Sequence, residues 1–289
     1  MSDTPPSAPT PLQPVEAPPD LLELPTIKQT NAGRIAAVTG IRTRKELLEW
    51  DYSVLYEKLH GVPETRDIAN RLDLLRGYAR AQLEGRPILY GVDPLLMDPP
   101  GPVWFFDLEF DSEGTEIFLF GWKKWGGDVH QAFGATKEER RDLLLEFFDH
   151  YYRDNPLLVT YGSRNSDEPF LRRAAENYRI PKKLVQGLRW YDMQDRVIFT
   201  GSPEAQMMYL PLNSFKLDAV GKYFGRSGKP AGNITSGLHI VHLYRRYKNS
   251  RDPRIRERLL EYNAEDLYLS EAVYEGLRQI CRTVPLEKG

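Results

Sequence analysis

The stretch Val103-Trp104-Phe105-Phe106-Asp107-Leu108-Glu109-Phe110 reads as an apolar β-strand that carries two carboxylates two residues apart. Side chains at i and i+2 of a strand share a face, so Asp107 and Glu109 stand side by side among aromatics. Adjacent acids repel each other, and neither is tolerated as a buried anion without a cation or a proton. The pattern points to a metal site, and such a site needs ligands from elsewhere in the chain.

Downstream of this strand, Thr115 to Trp122 and Val129 to Phe133 are also β-rich. Ser-Glu-Gly and Gly-Gly turns separate the three, which predicts an antiparallel meander. Thr136-Lys137-Glu138-Glu139 is a capping box opening an amphipathic helix through Tyr152. Leu157 to Tyr161 predicts a short buried strand, Pro169 to Tyr178 a helix with proline in its first turn, and Leu188 to Tyr191 another strand. Helices follow at about Phe215 to Phe224, closed by Gly225, then at Leu238 to Tyr247 and Pro253 to Ile280. The fold class is α/β: an antiparallel meander joined to parallel strands in one mixed sheet, flanked by helices, over residues 100–284.

Upstream, the first twenty residues hold seven prolines and almost no large apolar side chains. They bury too little to offset chain entropy, so residues 1–22 read as a disordered tail. Residues 23–99 read as a helical appendage, with Thr43 as an N-cap before Leu47 and Leu48 and a second amphipathic stretch from Asp67 through Leu83. Val38-Thr39-Gly40-Ile41-Arg42-Thr43 sets a glycine turn before a helix and weakly resembles a helix-hairpin-helix element, which binds nucleic-acid backbone. An ordinary helical pair fits the same residues.

The chain has 289 residues, 41% of them hydrophobic, and a formal net charge of −2. That charge gives no bulk attraction to nucleic acid or anionic membranes, so any basic surface is local. One cysteine, Cys281, excludes an internal disulfide and a cysteine-built zinc site. No apolar run approaches the roughly 20 residues of a membrane span, and the N-terminus lacks the pattern of a signal peptide. The expectation is a soluble, cytoplasmic protein with no membrane partner.

Two further acids are candidates to complete the metal site. Asp167 falls at the corner between the strand ending at Tyr161 and the helix that begins near Pro169, where a plain N-cap is the competing explanation. Asp266 lies in Tyr262-Asn263-Ala264-Glu265-Asp266, and Tyr262 and Asp266, four apart, share a helical face. A core tyrosine beside a solvated acid explains that pair equally well when it is read alone.

Taken in order, Asp-x-Glu on a first strand, an Asp after a later strand and Tyr-x-x-x-Asp on a C-terminal helix resemble the 3′-5′ exonucleases of the RNase H-like superfamily, in their DEDD branch. Tyr161-Gly162-Ser163-Arg164-Asn165-Ser166-Asp167-Glu168-Pro169-Phe170-Leu171 is similar to the second exonuclease motif. Ser214-Phe215-Lys216-Leu217-Asp218-Ala219-Val220, followed by Tyr223-Phe224-Gly225, is similar to the segment before the third motif in proofreading domains of family B DNA polymerases. Stand-alone bacterial proteins predicted to be RNase H-like nucleases are similar too. Glu261 occupies the position where the His-type branch has its histidine, so Tyr262 indicates the Tyr-type branch. Gly162 and Ser166 stand where the second motif usually has Asn and an aromatic, a departure that bears on contacts to the terminal nucleotide.

The resemblance implies a two-metal mechanism with Mg²⁺ or Mn²⁺ held by Asp107, Glu109, Asp167 and Asp266. It implies that Asp107 bridges both ions and that Tyr262 orients the attacking water. The partner implied is the end of a single-stranded nucleic acid. Arg245, Arg246, Lys248, Arg251, Arg254, Arg256 and Arg258 form a basic run before Tyr262, and part of it, with Lys216, is a candidate phosphate contact. A solvated helical face accounts for the run as well. Trp122-Lys123-Lys124-Trp125 offers aromatic stacking with charge at a hairpin end, or simply hairpin packing. The leading expectation is a metal-dependent 3′-5′ exonuclease. An endonuclease of the same fold and a non-catalytic nucleic-acid-binding or scaffold module with a relic site are the alternatives.

Overall fold

Strand Val103–Phe110 (β1) is the centre of a sheet, and its alternation decides what lies on either side. The computed structural model describes residues 16–25, 27–111, 116–202, 204–226 and 237–287. Contacts divide the chain into two compact units, one made of Met1–Ile88, Ser202–Glu204 and Tyr209–Ser214, the other of Leu89–Gly201, Ala205–Met208 and Phe215–Gly289.

The first unit is helical. Helix α1 (Gln29–Thr39) ends at Gly40, whose φ of 80° is the left-handed cap that glycine adopts without strain. Thr43 then opens α2 (Arg44–Glu49) with a reciprocal capping box to Glu46, as its spacing predicts. Helices α3 (Tyr52–His60) and α4 (Leu72–Glu84) follow, and Ile35, Leu47, Leu55, Leu59, Leu75 and Tyr78 are buried among them. The amphipathic stretch expected from Asp67 is broken at Asn70, so only its second part is the long helix. Two boundaries are corrected. Residues 1–15 of the expected tail lie outside the described residues, but Pro19–Leu22 is helical with Leu21 and Leu24 buried, so the expected end at Leu22 is too late. The unit closes at Ile88 rather than near 99, and it recruits Tyr209–Ser214.

The second unit contains, among the described residues, a five-stranded sheet: β1, β2 (Ile117–Lys124), β3 (Val129–Phe133), β4 (Leu157–Thr160) and β5 (Arg189–Asp192), in the spatial order β3-β2-β1-β4-β5. The first three strands pair antiparallel, and β4 and β5 extend the sheet in parallel with β1. This is the mixed sheet flanked by helices that the sequence predicts. The expected Ser-Glu-Gly turn and Thr115 lie outside the described residues.

Period-2 alternation sends Trp104, Phe106 and Leu108 to one face. There they meet Leu144, Phe147, Phe148 and Tyr151 of helix α5 (Lys137–Asp154) and Leu171 and Ala174 of α6 (Asp167–Asn177). Phe105, Asp107 and Glu109 take the opposite face. Helix α7 (Leu217–Tyr223) leads towards α8 (Gly237–Ser250), and the chain then enters α9 (Pro253–Thr283), 31 residues long and about 46 Å at 1.5 Å per residue. Helix α9 crosses the face of β1 that bears the acids, and Tyr274 meets Phe105 edge-on at 5.6 Å.

Candidate functional site

The acids of β1 meet α9 one turn apart. Tyr262, Asn263 and Asp266 are buried positions of α9, and carboxylate oxygens of Asp107, Glu109 and Asp266 lie within 4.8 Å of one another. The pairing of β1 with β2 shifts register between Glu109 and Phe110, immediately past the acid pair. Such an irregularity bends a strand and re-aims the side chains beside it.

Crowding like charges has a consequence for protons. Burial, and then the charges of Glu109, Asp266 and Asp167, push the Asp107 carboxyl well above the usual carboxylate range, against a hydrogen bond from Asn263. Tyr262 is buried beside the same acids and donates to Asp266; burial first, then those negative charges, raise its phenol well above the ordinary value of 10. It is therefore a neutral hydrogen-bond donor at any physiological pH. Three converging carboxylates form the oxygen-rich donor set that suits a hard divalent cation such as Mg²⁺ or Mn²⁺, and a cation relieves the repulsion that protonation otherwise relieves.

Asp167 comes from the other side of β1. It is the first residue of α6, and the preceding Ser166 caps nothing with its side chain but bonds the Asp167 carboxylate at 3.1 Å. The amide of Leu108 also donates to Asp167, which ties this acid to β1 between Asp107 and Glu109. Burial raises its pKa to about 7. Asp167 is thus within electrostatic reach of Asp107 but outside the group of three that converges within 4.8 Å.

The turn that delivers Asp167 is built around Asp192 at the end of β5. Its carboxylate accepts from the amides of Gly162 at 2.8 Å, Arg164 at 3.1 Å and Gln194 at 3.0 Å. Tyr161 hydroxyl donates to the Phe215 carbonyl at 2.6 Å, and Gln194 Nε2 donates to that carbonyl at 3.2 Å. Gly162 has φ of 72°, a left-handed conformation that Gly and Asn adopt most readily. A Cβ at this position would lie 2.7 Å from Gln194 Oε1, so glycine in place of Asn gives this turn room for Gln194.

The expected phosphate contacts divide. Lys216 is exposed next to Phe215, the residue bound by Tyr161. Arg245, Arg246 and Lys248 are all exposed on α8, and Lys248 pairs with Glu116 at 2.9 Å. In the rest of the run, Arg254 pairs with Asp252 at 3.0 Å, and Arg251 and Arg256 lie over the rings of Tyr247 and Phe133. Of the two readings of Trp122 to Trp125, packing holds for Trp122 and Lys123. Trp122 and Lys123 are buried, Trp122 stacking on Trp104 at 6.4 Å and Lys123 pairing with Glu271 at 2.7 Å, so only Lys124 and Trp125 reach solvent.

A model of the RNase H superfamily matches residues 104–278. The chain belongs to the RNase H superfamily. Among solved structures, a family B DNA polymerase from the hyperthermophilic archaeon Pyrobaculum calidifontis is similar over 62% of this chain, at 20% identity and a TM-score of 0.47. The chain spans 25% of that polymerase's length. No protein of curated function matches it. Among the described residues, no helix is long and apolar enough to cross a membrane.

Sequence reading missed three residues of this cluster. Asp192 carried a signal, because an acid ends the aromatic strand Trp190-Tyr191-Asp192 much as Asp107 interrupts β1. Asn263 lies inside the Tyr-x-x-x-Asp motif, where a polar residue beside two functional ones invites attention. Gln131 carried none, since nothing local distinguishes it from any polar strand residue.

Proposed function

We propose that this RNase H superfamily member is a divalent-metal-dependent 3′-5′ exonuclease that hydrolyses phosphodiester bonds at the end of a single-stranded DNA or RNA. The convergence of Asp107, Glu109 and Asp266 beside a Tyr262 hydroxyl bonded to Asp266 carries this reading. Those three acids, with Asp167 completing the set, would hold Mg²⁺ or Mn²⁺, two ions in this reading. Bound divalent ions supply the positive charge that stabilises the attacking and leaving oxygens and lower the pKa of water.

The chain's own side chains account for the remaining requirements. Tyr262 stays protonated, so it positions rather than deprotonates: its donated hydrogen bond orients the Asp266 carboxylate. Asp192 and Ser166 hold the turn and the carboxylate of Asp167 at the end of β4. Without cations the acid cluster repels a phosphodiester, so substrate entry and metal occupancy are coupled. Lys216, Arg245, Arg246 and Lys248 are the proposed contacts to the phosphate backbone, with Lys248 leaving Glu116 to make its contact.

The test is degradation of a 5′-labelled oligonucleotide, as matched DNA and RNA, in Mg²⁺ or Mn²⁺. The exonuclease reading expects a ladder shortening from the 3′ end and an intact single-stranded circle. Cleavage of the circle indicates an endonuclease of the same fold. Degradation that survives Asp107→Ala overturns the assignment to this site.

A further inference from the structure

The side chain of Asn263 is fully buried on α9, at 0% exposure, and a buried amide needs all its hydrogen-bonding groups placed. Its Nδ2 donates to Asp107 Oδ2 at 2.7 Å and reaches the Asp107 backbone carbonyl at 3.4 Å. Its Oδ1 accepts from Gln131 Nε2 at 2.9 Å. The same Gln131 nitrogen donates to the Leu260 carbonyl at 2.7 Å. An amide taken alone can be turned either way, but here the direction follows from the partners. The Leu260 carbonyl accepts only, so Gln131 must turn its NH₂ inward; Asn263 must then offer oxygen to Gln131 and NH₂ to Asp107.

The sheet supplies the geometry. Asp107, Gly121 and Gln131 are register partners on β1, β2 and β3, so they form one row across three strands. Asn263 bridges the two ends of the row by lying over its middle. A Cβ at position 121 would overlap the Asn263 side-chain oxygen. Glycine is required there for space rather than for backbone freedom.

We infer that Asn263, oriented by Gln131 across Gly121, is a positioning residue that fixes which oxygen of Asp107 faces the cation site. The inference deepens the nuclease reading and rests on it. Partners that orient metal-binding carboxylates change metal affinity or activity by about 10-fold to 100-fold when they are replaced.

The experiment measures oligonucleotide hydrolysis and Mn²⁺ binding by calorimetry for Gln131→Met, Gln131→Glu, Asn263→Asp and, as reference, Asp107→Asn. Gln131→Met, which keeps size but donates nothing, is expected to lower kcat about 10-fold and to raise the Mn²⁺ concentration needed for half-maximal rate, with KM for the oligonucleotide unchanged. Gln131→Glu presents only acceptors, draws the Asn263 NH₂ to position 131 so that the amide oxygen faces Asp107, and is expected to cost more than Gln131→Met. Asn263→Asp sets two carboxylates face to face and is expected to lower kcat about 100-fold. Gln131 is part-exposed, so the test does not depend on Asn263→Asp folding. Wild-type kcat and Mn²⁺ dependence in both Gln131 variants, with Asp107→Asn inactive, overturns the relay and leaves the nuclease reading standing. Full activity in Asp107→Asn overturns the nuclease reading, and unchanged Mn²⁺ affinity in the Gln131 variants then removes the relay as well.

Discussion

Helix α9 meets the sheet with charge at two levels, and the two differ in how that charge is balanced. At Glu271 a carboxylate meets the buried Lys123 ammonium at 2.7 Å, with the Lys124 carbonyl at 3.3 Å and the Tyr268 ring at 5.5 Å completing the cation's surroundings. Five residues earlier, Asp266 meets Asp107 and Glu109, like charges within 4.8 Å. The first arrangement is neutral within the chain. The second is neutral only when protons or cations join it. Burial alone does not separate the two levels; the sign of the neighbours does.

Substitutions separate the two levels. On the proposed function, Asp107→Ala is expected to reduce nuclease activity at least about 100-fold, while leaving urea stability of the metal-free protein unchanged or improved. Glu271→Gln is expected to do the reverse. It strands a buried ammonium and costs about 3 kcal/mol in a urea melt, with activity per folded molecule retained. A fall in activity beyond the folded fraction for Glu271→Gln would erase the contrast. Tyr262→Phe is a smaller change: about a 10-fold loss with an unaltered pH profile, because the phenol is a donor and never the base. A profile that moves with this substitution would make Tyr262 a titrating participant.

The weakest expected effect is on stability against pH. Asp167 has its pKa lifted to about 7 from an ordinary 3.8, and Asp107 is raised as well, so between these values the folded protein binds more protons than the unfolded one. Stability falls with rising pH wherever the folded state holds more protons. These groups therefore contribute most below about pH 4, and the contribution is lost as pH rises through about 7. The metal-free melting temperature of Asp167→Asn is expected to decline less than that of wild type between pH 5 and 8, and Mg²⁺ is expected to restore the wild type at pH 8. Parallel curves for the two proteins would contradict the assignment.

The acids of β1 were legible because period-2 alternation makes an Asp-x-Glu pair among aromatics conspicuous. Asp167 and Asp266 were legible through their order along the chain, since each alone suits a cap or a solvated helix. Gln131 and Gly121 escaped because their roles arise from strand register, which joins three separate segments in one row. The inward placement of Lys123 escaped for a related reason. Its partner Glu271 lies 148 residues away, and alternation along β2 does not reveal that a lysine faces inward. The ordered end of the expected tail followed the same logic, since Leu21 and Leu24 are buried by residues that a local reading of proline content does not weigh.

Calorimetric titration of Mn²⁺ at pH 7.0 into wild type and Asp107→Asn, in two buffers of different ionisation enthalpy, tests the central claim most directly. The acid cluster is expected to bind the ion with release of protons from wild type, and Asp107→Asn to bind at least about 10-fold more weakly with less release. Equal affinity and equal proton release in the two proteins would contradict the assignment of a cation to Asp107, Glu109 and Asp266.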